Sequence, residues 1–190
     1  MRKIIYLQNV SLDGFIEDSD GKIGWTNPGE ELHRHFNEQE KKVDTHLYGR
    51  RMHEIMDAWT KVEQDPSAPD YILEYARLWK KVDKIVFSKT LKEPKYDARL
   101  MREVVPEEIM QWKNEPGKDI SVGGAGLAKT FMRLNLIDEI HTYIYPVVLG
   151  GGKPMFPELK QKLHLQLVET KAFGNGVVLL RYQSEKEPDL

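Results

Sequence analysis

Short β-branched runs and amphipathic stretches take turns along this chain, and that alternation constrains the fold more than anything else in it. Ile4-Ile5-Tyr6-Leu7-Gln8-Asn9-Val10 reads as a buried strand, stopped by Ser11-Leu12-Asp13-Gly14. The stretch from Glu30 to Val43 carries Leu32, Phe36 and Val43 on one side and predicts a helix. His46-Leu47-Tyr48 is a short strand, and Arg50 to Met56 a helical turn or two. Ile72, Tyr75, Ala76, Trp79 and Val82 then mark one helix face, followed by the strand Lys84-Ile85-Val86-Phe87-Ser88. A loop over Pro94 to Arg99 leads to a short strand near Val104-Val105 and a helix opened by Pro106. Asp119 to Val122 is a strand running into Gly123-Gly124-Ala125-Gly126, and the next helix has Leu127, Phe131 and Leu134 on its apolar face. Ile137 to Val148 is the next strand. Leu163 to Glu169 and Val177 to Tyr182 flank Gly174-Asn175-Gly176, a hairpin signal. Strands separated by helices imply an α/β fold whose sheet is mostly parallel and covered on both faces. The closing hairpin adds an antiparallel pair at one edge.

A chain of 190 residues, 40% hydrophobic and 31% charged, suits one globular domain and argues against disorder. The expectation is a single domain over residues 1–183 and a disordered tail over 184–190. A formal net charge of -2 advertises neither nucleic acid nor anionic membrane, so any phosphate site must be local. No stretch approaches the roughly 20 apolar residues of a membrane span, and the N-terminus lacks the pattern of a secretory signal. With no cysteine there are no disulfides, thiolate metal sites or cysteine nucleophiles, a pattern that fits a cytoplasmic protein.

Three strand ends carry small, cationic or hydroxyl residues: Gly49-Arg50-Arg51, Ser88-Lys89-Thr90 and Gly123-Gly124-Ala125-Gly126. In an open α/β sheet ligands bind at the carboxyl ends of strands, where helix N-termini present unpaired N–H groups. Glycine there lets a phosphate approach the backbone. On chemistry alone, three ordinary turns with solvated charges explain the pattern equally well. Gly123 to Thr130 is one substitution from a phosphate-binding P-loop, but Ala128 stands where its second glycine belongs and the next strand ends without a magnesium carboxylate. The dinucleotide fingerprint fails too, for want of a third glycine after Gly124 and Gly126.

The ordered set of Ser11-Leu12-Asp13-Gly14-Phe15-Ile16, Gly49-Arg50, Ile85-Val86-Phe87-Ser88-Lys89 and the Gly123 loop resembles the dihydrofolate-reductase superfamily. Within it, Ser11 to Gly14 and Ile137 to Gly151 are similar to the reductase domain of the bifunctional riboflavin-biosynthesis enzyme, and the resemblance runs from Lys3 to about Tyr182. It implies a three-layer α/β/α fold with a mostly parallel mixed sheet, and NADPH lying across its carboxyl edge. Gly49, Arg50 and Arg51 would contact cofactor phosphates; Ser88, Lys89 and Thr90 would hold the adenosine 2′-phosphate; Gly123, Gly124, Ala125 and Gly126 would hold the pyrophosphate. The implied activity is reduction of a pyrimidine- or pterin-like substrate, nearest to 5-amino-6-(5-phosphoribosylamino)uracil reductase. Dihydrofolate reductase activity and a catalytically silent NADPH-binding protein are the alternatives. The departures fall at the substrate end: Leu7 replaces a usual lysine, and Arg50-Arg51-Met52-His53-Glu54 replaces a loop ending in Asp-Asp-Pro.

Glu31 is the candidate catalytic carboxylate, with a helix-terminal glutamate facing the dipole as the plainer reading. Asp13, Trp25 and Phe36 are the candidate substrate contacts, although Trp25 could equally cap the core. His33 and His35 point to different sides of their helix, so no metal site is expected. Asp138-Glu139 reads as a solvated loop. The apolar strand from Ile140 to Val148, placed near a sheet edge, together with the resemblance, predicts a homodimer.

Overall fold

Alternate residues of a strand face opposite sides of its sheet, and the first strand already divides its residues that way. In β1 (Ile4–Ser11), Ile4, Tyr6 and Val10 face one layer while Ile5, Leu7 and Asn9 face the other. The computed structural model describes residues 1–156, 158–159 and 162–185. After β1 come β2 (Phe15–Glu17), α1 (Gly29–Glu40), β3 (Val43–Gly49) and α2 (Arg50–Met56), then two 3-10 turns, Asp57–Thr60 and Val62–Gln64. Next are α3 (Asp70–Lys81), β4 (Asp83–Phe87), β5 (Arg99–Met101), α4 (Pro106–Asn114), β6 (Asp119–Gly123) and α5 (Ala125–Arg133). The chain closes with β7 (Glu139–Tyr145), β8 (Lys153–Pro154), β9 (Leu165–Ala172) and β10 (Val178–Ser184).

Eight strands form one sheet in the order β5-β4-β3-β6-β1-β7-β10-β9. The pairs from β5 to β7 are parallel, and β10 and β9 are antiparallel, so the expected hairpin sits at the edge. One layer packs Ile109 of α4 and Ala128, Phe131 and Met132 of α5 on Ile4, Tyr6, Ile120 and Val122. The other layer has two separate cores. Leu32 of α1 packs with Tyr143, Tyr145, Phe173, Val177 and Leu179, while Trp79 of α3 packs with Tyr48 and Met56. Trp79 donates its indole N–H to the Tyr48 hydroxyl at 3.0 Å, which lets both aromatics stay buried.

Several expectations are corrected. The short strand lies at Arg99–Met101 rather than near Val104-Val105, because its partner is the end of β4, with Phe87 opposite Met101. The first helix ends at Glu40, and Val43 opens β3. Leu134 follows the end of α5 and is 39% exposed, so the apolar face is Leu127, Ala128, Phe131 and Met132. β7 is interior, hydrogen-bonded to β1 on one side and β10 on the other, so it offers no free edge to a partner. Ser184, assigned to the tail, closes β10; residues 186–190 lie outside the described residues. Glu139 is not solvated. It is 5% exposed, with Lys3 Nζ at 2.6 Å and His141 Nε2 at 2.8 Å from its carboxylate oxygens. Asp138 accepts from the Ile4 N–H at 2.8 Å and from Lys113 Nζ. The pair β2–β8 forms a second, two-stranded sheet that the sequence pattern did not signal.

Candidate active site

The two cores above the second face leave a gap between them, and that gap opens at the carboxyl ends of β1, β3, β4 and β6. It is a cleft of about 1270 Å³, larger than the roughly 300–1,000 Å³ of ordinary small-molecule pockets. There is room for two ligands lying end to end.

One arm of the cleft is built from the three strand ends. Gly49, Arg50, Arg51, Ser88, Lys89 and the run Gly123 to Gly126 all line it. Gly49 immediately precedes α2 and Gly124 immediately precedes α5, neither with a side chain bonded to the first-turn N–H groups, so those donors remain for a ligand. Gly124 has φ +92°, a conformation that L side chains rarely adopt. A Cβ at Gly123 would lie 2.7 Å from the Tyr48 ring, whereas one at Gly126 would meet nothing within 4 Å, which leaves open space over the loop. Ser88 Oγ accepts from Leu91 N at 3.0 Å, shaping the turn after β4. Arg50 Nη1 reaches Thr90 Oγ1 at 3.3 Å and its Nε bonds Glu54 at 2.8 Å, so the start of α2 and the turn after β4 adjoin. Thr90 is therefore beside this arm through Arg50, though it does not line the cleft. Lys89 is exposed and has no ion-pair partner among the described residues. Arg51 pairs with Glu17 at 3.0 Å. Arg102, which the sequence pattern did not single out, donates to the carbonyls of Ser88 (2.9 Å) and Leu91 (2.6 Å) and lines the same arm.

The second arm runs between the sheet and α1. Of the three expected substrate contacts it contains only Phe36, which packs against Tyr143 with ring centroids 4.9 Å apart. Trp25 packs its ring edge-on to Tyr145 at 5.6 Å in the neighbouring core. Asp13 accepts from Ser11 Oγ (2.7 Å) and from the N–H groups of Leu149 (3.1 Å) and Gly150 (2.7 Å). It clamps the loop after β7 to the loop after β1, and the Ser11 bond first among these lowers its pKa. Glu31 is not brought to the cleft. Its carboxylate accepts from Gly174 N at 2.9 Å, on the turn joining β9 and β10. Besides Leu7, this arm is lined by residues that no sequence pattern marked as ligand contacts: Asn9 on β1, His33 on α1, Trp59, Tyr75 and the Glu40–His46 pair. His46 lies in a recognisable strand, and its distance from Tyr48 placed it on the same face. No local pattern reveals which face looks into a cavity.

Burial lowers the pKa of His33, which sits among Phe36, Trp59, Tyr71 and Tyr75 with ring centroids 5.3–6.4 Å away. It is therefore a neutral wall residue at pH 7. Among the described residues no cluster of histidines and carboxylates could hold a metal ion.

A mostly parallel sheet with a C-terminal antiparallel hairpin, flanked by helices and cleft at its carboxyl edge, defines a dihydrofolate-reductase-like α/β protein. Residues 2–179 match the RibD C-terminal domain, and the chain belongs to that family. The YyaP protein of Bacillus subtilis (strain 168) is 38% identical over 185 residues, covering 95% of this chain and 94% of that one. A putative riboflavin biosynthesis protein from Shewanella sp. PV-4 shares the fold with TM-score 0.74 at 22% identity, over 97% of this chain and 99% of that one. Dihydrofolate reductase from Enterococcus faecalis, solved with NADP(H) and RAB-propyl, shares it with TM-score 0.65 at 17% identity, over 97% of each chain.

Proposed function

We propose that the protein is an NADPH-dependent reductase acting on a pyrimidine- or pterin-like heterocycle, nearest in chemistry to 5-amino-6-(5-phosphoribosylamino)uracil reductase. One observation carries the reading: three separate strand-end turns, each with phosphate-binding chemistry, line one arm of a single cleft. The open space at Gly126 and the uncapped N–H groups after Gly124 suit a pyrophosphate. Arg50, Ser88, Lys89 and Arg102 suit a 2′-phosphate. NADPH, when bound, supplies the hydride. The chain's own residues orient the two partners: the loop after β6 fixes the cofactor's phosphates, while Leu7 and Phe36 shield the substrate arm from water.

The test is NADPH consumption against a panel of pterins, aminopyrimidines and quinones, with NADPH binding measured separately. Turnover with a pterin or aminopyrimidine is the expected result. Tight NADPH binding without turnover on any member would favour the catalytically silent alternative, and absence of NADPH binding would overturn the reading altogether.

The family resemblance also supports a homodimer in the cytoplasm. Light scattering should give twice the monomer mass at micromolar concentration, and a monomer mass would remove the assembly from the proposal. Its interface is not β7, which has both edges paired. Among the described residues, no helix is long and apolar enough to cross a membrane.

A further inference from the structure

We propose that Asn175-Gly176, at the tip of the β9–β10 hairpin, is a site of self-modification: Asn175 deamidates through a cyclic imide, and the product unfastens the hairpin from the start of α1. This stands apart from the reductase reading and does not rest on it.

The tip has the chemistry for the step. Among the chain's asparagines, only Asn175 is followed by glycine. With no Cβ on the next residue, its backbone nitrogen is open to approach by the asparagine side chain. Gly174, Asn175 and Gly176 are all exposed, so solvent reaches both groups. Gly176 N–H donates to the Phe173 carbonyl and Phe173 N–H to the Val177 carbonyl, both at 2.9 Å. With Gly176 at φ +83°, this is a three-residue hairpin loop ending in a left-handed glycine.

The same tip is a clasp. Asn175 Nδ2 donates to the carbonyls of Pro28 (2.8 Å) and Asn27 (3.4 Å), and its Oδ1 accepts from Val177 N at 3.2 Å. One residue earlier, Gly174 N donates to the Glu31 carboxylate at 2.9 Å. A single short turn thus grips the chain on both sides of the point where α1 begins. That helix carries Phe36 and His33 to the cleft.

The reaction needs no partner but water. The Gly176 nitrogen attacks Asn175 Cγ; the N–Cγ bond forms as the Cγ–Nδ2 bond breaks. Nδ2 departs as ammonia, carrying the proton that Gly176 gave up. Water then opens the imide at one of its two ring C–N bonds. Breaking the bond at Cγ leaves aspartate; breaking the one at the main-chain carbonyl leaves isoaspartate, whose backbone is one carbon longer. Nothing is oxidised or reduced. Either product replaces an NH2 donor by a carboxylate, which cannot donate to the Pro28 and Asn27 carbonyls. The α1 dipole attracts a carboxylate at this end, but only weakly at an exposed rim. Leu32 still packs with Phe173 and Val177, so the fold persists while the clasp opens.

The test is mass spectrometry of the tryptic peptide from Ala172 to Arg181 after the full-length protein has been aged at mildly alkaline pH. One sample stays folded and another is held unfolded in guanidinium chloride. Amide-to-acid conversion, with isoaspartate present, should appear at Asn175 ahead of every other asparagine. In the folded sample it should be about tenfold slower, because the amide must first leave Pro28 and Gly176 N–H must leave Phe173. Conversion confined to the unfolded sample would overturn the proposal, and equal rates would overturn the clasp. Asn175→Asp reproduces one product, and hydrogen exchange at the Gly174 amide should then quicken about tenfold. Unchanged exchange in the folded variant would overturn the unfastening. The same exchange read on aged wild-type protein gives a check that does not depend on the variant folding.

Discussion

Replacing Arg50 and Lys89 together by alanine should lower NADPH affinity about a hundredfold or more while leaving NADH nearly unaffected. The two cofactors differ only by the 2′-phosphate, so discrimination must come from groups that meet it. Arg50 and Lys89 line the same arm of the cleft, and Arg50 already reaches Thr90 in the turn after β4 at 3.3 Å. Each charge-assisted hydrogen bond to a phosphate contributes roughly 1.5–3 kcal/mol, reduced at an exposed rim by solvent and salt. Arg50 must also loosen its 2.8 Å bond to Glu54, which offsets part of its share. Two contacts still amount to two orders of magnitude, and the wild-type preference should shrink as salt rises. Calorimetric titrations of both proteins with both cofactors decide the matter. Equal wild-type affinities for NADH and NADPH would sink this assignment of the pocket.

The protein should lose about 3 kcal/mol of stability as pH falls from about 4.5 to about 2, through Glu139 alone. The hydrogen bond from His141, foremost, and the Lys3 ammonium beside it outweigh burial and bring its pKa down from 4.5 to about 2. A carboxylate with a depressed folded-state pKa stabilises the fold fully above its unfolded value. That stability drains away as the pH descends to the folded value, at about 1.36 kcal/mol for each pH unit between the two. Glu139→Gln, close in shape but without charge, should be less stable by a similar amount at pH 7 and should show a flatter profile over that acid range. Urea unfolding of the two proteins across that range is the measurement. Parallel profiles would place the acid-labile group elsewhere.

Both predictions concern residues that the sequence treats very differently. Arg50, Lys89 and the Gly123 loop could be placed at strand ends because strand and helix periodicities locate those ends, although ordinary turns carry the same residue types; that they line one cleft is visible only in the fold. Glu139 was not legible. The adjacent acidic pair Asp138-Glu139 suggests a solvated loop, and what covers Glu139 is Lys3, at the other end of the chain, together with Arg181 from the hairpin. Glu31 illustrates the same limit. Its helix was expected, but the rotation that aims it at Gly174 is set by Leu32 entering the core of β7 and β10. The strands β2 and β8, three and two residues long, are too short for any periodicity to register. Phe36 was found because an aromatic on a helix face must pack somewhere. Trp59, in an irregular turn, gave no such cue.

The position of β1 has a consequence for how the chain is made. It is near the middle of the sheet, yet its partners are β6 and β7: Ile4 aligns with Ile120, and Ile5 with Glu139. No local hairpin can shelter it. During synthesis at about 5–20 residues per second, this apolar segment waits about 6–23 s after its own translation before β6 exists. Contacts so distant along the chain must close large loops before they repay the entropy, which makes folding slow. Until β6 and β7 have been made, the central strand of the finished sheet has no neighbour with which to share its backbone hydrogen bonds.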